Sequence, residues 1–186
     1  MEKLNKRVCF VVNVDWFFIS HRLPLAIHAL RKGYEVYLLT ADTGRRQELE
    51  NLGIYFIDIP FKRSGSNPFH EVKCILRLYK YYRQLSPDIV HHITLKAALL
   101  GSLAAKLAGV RRIINAISGL GYNFIDERNS LLQKIIKLLL RVAFRSKYFS
   151  FILQNPDDVK MISELNLVPL DSIYLIKGSG VNLQQF

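Results

Sequence analysis

The sequence predicts an α/β fold, a Rossmann-like, doubly wound, mostly parallel sheet of about seven strands with helices on both faces. Two observations carry this. Short apolar runs rich in β-branched residues recur along the chain, at the length of strands buried on both faces. Between successive runs lie segments with helix-start and helix-stop signals instead of hairpin turns. With 186 residues, 50% hydrophobic content and no repeat, low-complexity tract or linker, residues 1–186 read as one domain.

"RVCFVVNV" (Arg7–Val14) is the first strand, a continuous apolar run. Ser20 is the expected cap of the following helix, with Pro24 in or near its first turn and Gly33 at its end. "YEVYLLT" is the second strand, "TGRRQELENLG" (Thr43–Gly53) a short polar helix, and "IYFIDIP" the third strand. Asn67-Pro68 starts a helix that runs to about Leu85, because proline's missing N–H costs nothing at the first helical position. "DIVHHI" is the fourth strand, and "LKAALLGSLAAKLAGV" a small-residue helix closed by Gly109. "RRIINAI" is the fifth strand, followed by the glycine loop "SGLGYNF" and a basic helix. "YFSFILQ", a second Asn-Pro helix start in "NPDD", and the strand "SIYLIK" complete the series.

The 26 Lys and Arg against 15 Asp and Glu give a net charge of +11, which suits an anionic partner. The basic residues follow helices with few interleaved aromatics, so no nucleic-acid partner is expected. Cys9 and Cys74 read as buried thiols in a reducing compartment. No targeting segment is apparent, and the longest uncharged run, Ile113 to Ile125, is too short to cross a bilayer. Membrane contact is therefore expected to be peripheral. The G-x-G-x-x-G, P-loop and G-x-S-x-G motifs are missing. No metal is expected, since His91 and His92 alternate on a strand and the cysteines lie too early in their elements to help.

In such a sheet, ligands bind beyond the carboxyl ends of the strands, near the switch in strand order. That rule collects Asn13, Asp15, Trp16, Phe17 and His21 after the first strand, and His92, Thr94 and Lys96 after the fourth, as cleft residues. Ser118, Gly119, Leu120, Gly121, Asn155, Gly178, Ser179 and Gly180 fall on the later loops. Asp15, His21 and Ser118 are the candidates for chemistry. Asp15, Trp16, His21, Lys96 and Ser118 are expected to share one cleft, with Asp15 orienting a hydroxyl or acting as a base and Lys96 pairing with a phosphate.

Five stretches, "VVNVDWFFISHRLPLA", "HHITLKAALLGSLAAKLAGV", "RIINAISGLGYNF", "LQNPDD" and "IYLIKGSGVNLQQF", resemble the amino-terminal half of bacterial retaining glycosyltransferases of family 4. The resemblance is to members in capsule, O-antigen and lipid-linked oligosaccharide assembly. It implies a GT-B enzyme in which this domain binds a lipid-linked saccharide acceptor on the cytoplasmic face of the membrane. A carboxyl-terminal glycosyltransferase domain then supplies most contacts to the nucleotide-sugar donor, including a Glu-x7-Glu motif that has no counterpart here. No cofactor is implied for this domain, and the chain alone is expected to be inactive. A standalone subunit presenting the acceptor to a separate catalytic chain is the alternative. The sequence departs from the family where many relatives have Gly-Gly after the first strand, here Asn13-Val14-Asp15-Trp16, and His-Gly after the fifth, here Ser118-Gly119.

"LLQKIIKLLLRVAFRSKYF" (Leu131–Phe149) holds five basic and no acidic residues. On a helix, Lys134, Lys137, Arg141 and Arg145 form one stripe, with Leu139, Val142 and Ala143 on the other side. The stripe is expected to face an anionic membrane surface, where each Lys or Arg contributes about 1 kcal/mol.

Overall fold

The computed structural model describes residues 6–62, 67–117, 131–164, 166 and 168–178, with side chains in the helix over 131–144 described from residue 138 onward. The strands are β1 (Arg7–Val14), β2 (Glu35–Ala41), β3 (Tyr55–Asp58), β4 (Ile89–Ile93), β5 (Ile113–Ile117), β6 (Phe149–Leu153) and β7 (Ile173–Leu175). The helices are α1 (Asp15–Arg31), α2 (Arg46–Asn51), α3 (Pro68–Leu85), α4 (Leu95–Ala108), α5 (Leu131–Phe144) and α6 (Pro156–Glu164). All seven strands join one sheet in the order β3-β2-β1-β4-β5-β6-β7, and every pairing is parallel.

Alternation along the central strands divides the core in two. Cys9 and Val11 of β1 point into the larger core, which also holds Cys74, Leu78 and Tyr82 of α3, much of α4, and Leu140, Ala143 and Phe144 of α5. Val8, Phe10 and Val12 point the other way, onto Phe18 and Ala26 of α1 and Leu49 of α2. Both faces of β1 are covered, which is why its sequence is apolar without interruption from Val8 to Val12. Burying each such side chain contributes about 1.5–3 kcal/mol.

The two Asn-Pro starts behave as their chemistry requires. Asn67 Oδ1 accepts the Phe69 N–H at 3.0 Å, and Asn155 Oδ1 accepts the Asp158 N–H at 2.9 Å. Gly109 closes α4 in the left-handed conformation, at φ +76°.

Two helix starts differ from expectation. α1 begins directly at Asp15, so Ser20 is not a cap and Pro24 lies inside the helix. Ser20 Oγ instead bonds back to the carbonyls of Trp16 and Phe17, both at 3.1 Å. α2 begins at Arg46 instead of Thr43, because Asp15 and Asp42 take the N–H groups of Thr43, Gly44 and Arg45 and hold them in a turn.

Gly101 of α4 lies against the imidazole of His92, and a Cβ built there would overlap the ring. That ring is held from both sides, as described below, so it cannot swing away. Gly101→Ala is expected to destabilise the chain by about 1–3 kcal/mol in urea unfolding.

Candidate functional site

The strand order reverses between β1 and β4. The chain leaves β1 toward β2 on one side and leaves β4 toward β5 on the other, and at the carboxyl ends of such a switch point open α/β sheets have their ligand crevice. The register of β1 against β2 shifts between Val11 and Val14, a local irregularity of the kind that re-aims side chains beside sites. Across the crevice, Thr94 Oγ1 donates to Asn13 Oδ1 at 3.0 Å. Thr94 has φ +81° and ψ 153°, a region nearly restricted to glycine. A β-branched residue kept there marks the β4–α4 turn as a place where backbone strain is retained.

Trp16 and Phe17, at the start of α1, and His21, one turn on, make an aromatic shelf at this edge. Trp16 is 41% exposed, and its ring meets that of Phe17 edge-on at 5.9 Å. Phe17 stacks on His21 at 4.0 Å with an interplanar angle of 9°. His21 is exposed, with Nδ1 2.6 Å from Ser20 Oγ. Lys96, in the first turn of α4, pairs with Glu71 of α3 at 2.6 Å and donates to the Lys62 carbonyl at 3.0 Å. Its ammonium thus ties α4 to α3.

The structure gives Asp15 a different task from hydroxyl orientation or base catalysis. It is 0% exposed, and both carboxylate oxygens are occupied. Oδ1 accepts the Trp16 N–H at 2.7 Å and the Thr43 hydroxyl, while Oδ2 accepts the N–H groups of Thr43 at 2.7 Å and Arg45 at 3.3 Å. Asp15 therefore fastens the β2–α2 turn to the start of α1.

His92 is likewise a core residue and not a cleft residue. It is 0% exposed and faces the layer of α3 and α4. Nδ1 lies 2.7 Å from Asn115 Oδ1, and Nε2 lies 2.9 Å from the Tyr82 hydroxyl. An amide oxygen only accepts, so Nδ1 carries the proton and Nε2 receives the tyrosine O–H, which fits a neutral imidazole. Ser102 Oγ joins the same Asn115 oxygen at 3.2 Å. Burial lowers the His92 pKa to about 4 against a rise from the Asn115 bond, and lowers that of His91 to about 3 with help from Arg22 and His92.

Asn155 is committed to capping α6, and Gly178 is exposed at φ +75°. Ser118, Gly119, Leu120, Gly121, Ser179 and Gly180 lie outside the described residues, as do the side chains of Lys134 and Lys137. Arg141 and Arg145 are exposed, but so are Leu138, Leu139 and Val142 between them. The described outer side of α5 thus mixes cations with aliphatic residues, where the sequence placed Leu139 and Val142 opposite the stripe. Lys106 of α4 donates to the Val142 carbonyl and, at 2.9 Å, to that of Arg145, capping the end of α5.

A concavity of about 490 Å³ lies at the opposite, amino-terminal edge, with Lys6, Arg83, Arg111 and Arg112 in its lining. α3 and α4 both end there, and these cations offset the negative ends of the two helices. Among the described residues, no group of three or more His, Cys, Asp or Glu side chains is placed to hold a metal ion.

Residues 7–154 match the sequence model of a family described as glycosyl transferase 4-like. The chain is 28% identical over 183 residues to the N,N'-diacetylbacillosaminyl-diphospho-undecaprenol alpha-1,3-N-acetylgalactosaminyltransferase of Campylobacter jejuni, covering 97% of this chain and 48% of that enzyme. It is 25% identical over 153 residues to the UDP-Gal:alpha-D-GlcNAc-diphosphoundecaprenol alpha-1,3-galactosyltransferase of Escherichia coli, covering 82% and 38%. The chain therefore spans about half, or less, of the curated relatives it matches. Among solved structures, Acinetobacter baumannii MurG superposes with a TM-score of 0.60 at 19% identity, over 97% of this chain and 47% of that one. A glycosyltransferase from Rickettsia africae superposes at 0.63 with 15% identity, over 94% and 43%. At those identities the likeness speaks for the fold.

Proposed function

This chain belongs to the glycosyl transferase 4-like family, and from that premise we propose that it is the acceptor-binding part of a retaining glycosyltransferase working on a diphosphate-linked lipid saccharide. The observation that supports this most is the carboxyl edge at the β1–β4 switch point, where Trp16, Phe17 and His21 form an aromatic shelf and Thr94 bonds to Asn13. The shelf gives a sugar ring a flat apolar surface, and the strained turn holds the polar pair in place. Both curated relatives are named for transfer to a sugar on diphospho-undecaprenol, and both for forming an alpha-1,3 linkage.

In this reading the nucleotide-sugar donor is held mainly by a carboxyl-terminal domain across the cleft, with the loops after β5, β6 and β7 completing the site. The acceptor's lipid keeps the work at the inner face of the bacterial membrane, in surface polysaccharide or oligosaccharide assembly. No helix among the described residues is long and apolar enough to cross a bilayer, so the contact proposed is peripheral.

Trp16 is the one tryptophan of the chain and sits on the shelf, so its fluorescence reports the proposed site directly. Titration with a short-chain, water-soluble polyprenyl-diphosphate saccharide is expected to change its emission saturably. The same lipid diphosphate without the sugar is expected to compete weakly. An emission unchanged by the saccharide, or responding equally to the sugar-free diphosphate, would refute acceptor binding at the shelf.

A further inference from the structure

The concavity at the amino-terminal edge gathers more positive charge than its surroundings use. Lys6, Arg83, Arg111 and Arg112 line it, and its volume of about 490 Å³ is that of a small-ligand site. Among the described residues, none of these four has a carboxylate within ion-pair distance, whereas Arg7, Arg46 and Lys96 each do. Asp88, the one acid in the lining, turns Oδ2 onto the Arg7 N–H at 2.8 Å. A neighbouring concavity of about 310 Å³ shares Arg111 and Arg112 and adds Lys147, so the positive lining continues along the edge.

The ends of α3 and α4 do not use up these cations, because other groups already bond their last carbonyls. Arg7 Nη1 donates to the Leu85 carbonyl at 3.0 Å, and the Ser86 N–H to that of Tyr82 at 3.0 Å. The N–H groups of Gly109 and Val110 close α4 on the carbonyls of Lys106 and Ala105, at 3.2 and 3.0 Å. What remains is the field of each helix end, equivalent to about half a negative charge. Four cations set against Asp88 and two such ends leave a surplus of about two positive charges. Like charges held together repel, so the cluster gains from an anion that the described residues do not supply.

We propose that this concavity binds a compact diphosphate or triphosphate group, free or carried by a nucleotide, with Arg83, Arg111 and Arg112 on its oxygens and Lys6 adding charge. Arginine pairs with phosphate through two parallel N–H bonds. Three guanidiniums pairing in this way ask for more acceptor oxygens than one phosphate presents, and a diphosphate supplies them. The buried part of the lining, Tyr82, Pro87 and Val110, is apolar around the site, which strengthens each charged contact above it. The site lies at the edge of the sheet opposite the Trp16 shelf. It therefore owes nothing to acceptor binding there, and either reading can fail alone.

Calorimetric titration with inorganic pyrophosphate in magnesium-free buffer is expected to show one saturable site, with inorganic phosphate binding about tenfold more weakly or less. Arg83→Gln with Arg111→Gln is expected to weaken pyrophosphate about tenfold or more, and to leave the melting temperature of the free protein unchanged because both side chains are exposed. Lys73→Gln with Lys160→Gln removes the same charge elsewhere and is expected to bind as wild type does. Asp88→Asn keeps an accepting oxygen for the Arg7 N–H and is expected to tighten pyrophosphate about threefold, a gain that a damaged fold could not produce. Adenosine diphosphate identifies the carrier. Binding tighter than pyrophosphate assigns the site to a nucleotide, and equal or weaker binding assigns it to free polyphosphate. Equal weakening by the two double variants would overturn the proposal, by showing that affinity follows net charge alone. So would an Asp88→Asn variant that binds no tighter than wild type, or a wild type with no saturable site. A change in Trp16 emission on adding pyrophosphate would also overturn it, by placing the diphosphate at the shelf. Absence of pyrophosphate binding alongside a normal saccharide titration of Trp16 would sink this proposal and leave acceptor binding intact.

Discussion

Acidification from pH 7.5 to 4.5 is expected to remove about 5 kcal/mol of folding stability, enough to unfold a domain of ordinary marginal stability or bring it close. The source is the histidine pair of β4. His91 and His92 are buried, and burial holds their folded-state pKa values at about 3 and about 4. In the unfolded chain both titrate near the ordinary 6.5. Below that value the unfolded state binds up to two protons that the folded state refuses. Stability is therefore fully present above pH 6.5 and is lost as pH falls from there toward the folded values. Each histidine contributes up to about 1.4 kcal/mol per pH unit within that window. The described neighbours of His91 supply no relief, and the Asn115 bond offsets only part of the burial effect at His92. His91 packs near the Phe10 ring at 5.5 Å, its Nε2 is buried without a hydrogen bond, and Arg22 adds positive potential. His92 could hold a second proton only if the Tyr82 bond reversed, with Nε2 donating to the phenol oxygen and the tyrosine O–H giving up its acceptor. His91→Leu is expected to halve the acid dependence of the urea midpoint while leaving the Tyr82–His92–Asn115 chain in place. A wild-type midpoint equal at pH 7.5 and pH 5 would contradict the neutral, buried state of both rings.

The sequence showed one half of this pair's chemistry and hid the other. Alternation along β4 was legible, and it correctly put the two imidazoles on opposite faces of the sheet. What covered each face was not, because the partners are remote. Tyr82 lies on α3 and Asn115 on β5, and nothing local to the strand announces either. The Asn-Pro helix starts were legible because capping is a local affair between a side chain and backbone N–H groups two or three residues on. The partners of Asp15 were hidden on the same ground as those of His92. Its carboxylate is claimed by a turn 28 residues away, and the turn residues Thr43 and Arg45 look in sequence like the start of α2.

α3 offers a different lesson. Its sequence carries two apolar stripes, Cys74–Leu78–Tyr82 and Phe69–Val72–Leu76–Tyr79, on different sides of the same helix. A helix flanking a sheet can bury only one of them, so the second was a readable sign of an unpaired face. In the helix over 131–144 the sequence shows its cations more plainly than its apolar faces. Its exposed side includes Leu138, Leu139 and Val142, and its core side uses Leu140, Ala143 and Phe144, a split that spacing from Lys134 did not give.

Asp15→Ala is expected to cost about 3–5 kcal/mol and to loosen the turn between β2 and α2. The carboxylate accepts three backbone N–H groups and one hydroxyl with no exposure to water. Removing it leaves buried donors unmatched, and that penalty exceeds the loss of the bonds themselves. Asp15→Asn separates this role from catalysis. The amide keeps the shape but turns one accepting oxygen into a donor, which then faces N–H groups that also donate. The asparagine variant is therefore expected to lose nearly as much stability as the alanine one, and hydrogen exchange at the Thr43 and Arg45 amides should quicken in both. Acceptor binding, read from Trp16, should weaken in step because Trp16 N–H is one of the groups released. A general base would behave otherwise. Asparagine would then leave stability, exchange and acceptor affinity near wild type and abolish sugar transfer by the complete enzyme. Finding that pattern would restore Asp15 to the chemistry and refute its role as the clasp between α1 and the β2–α2 turn.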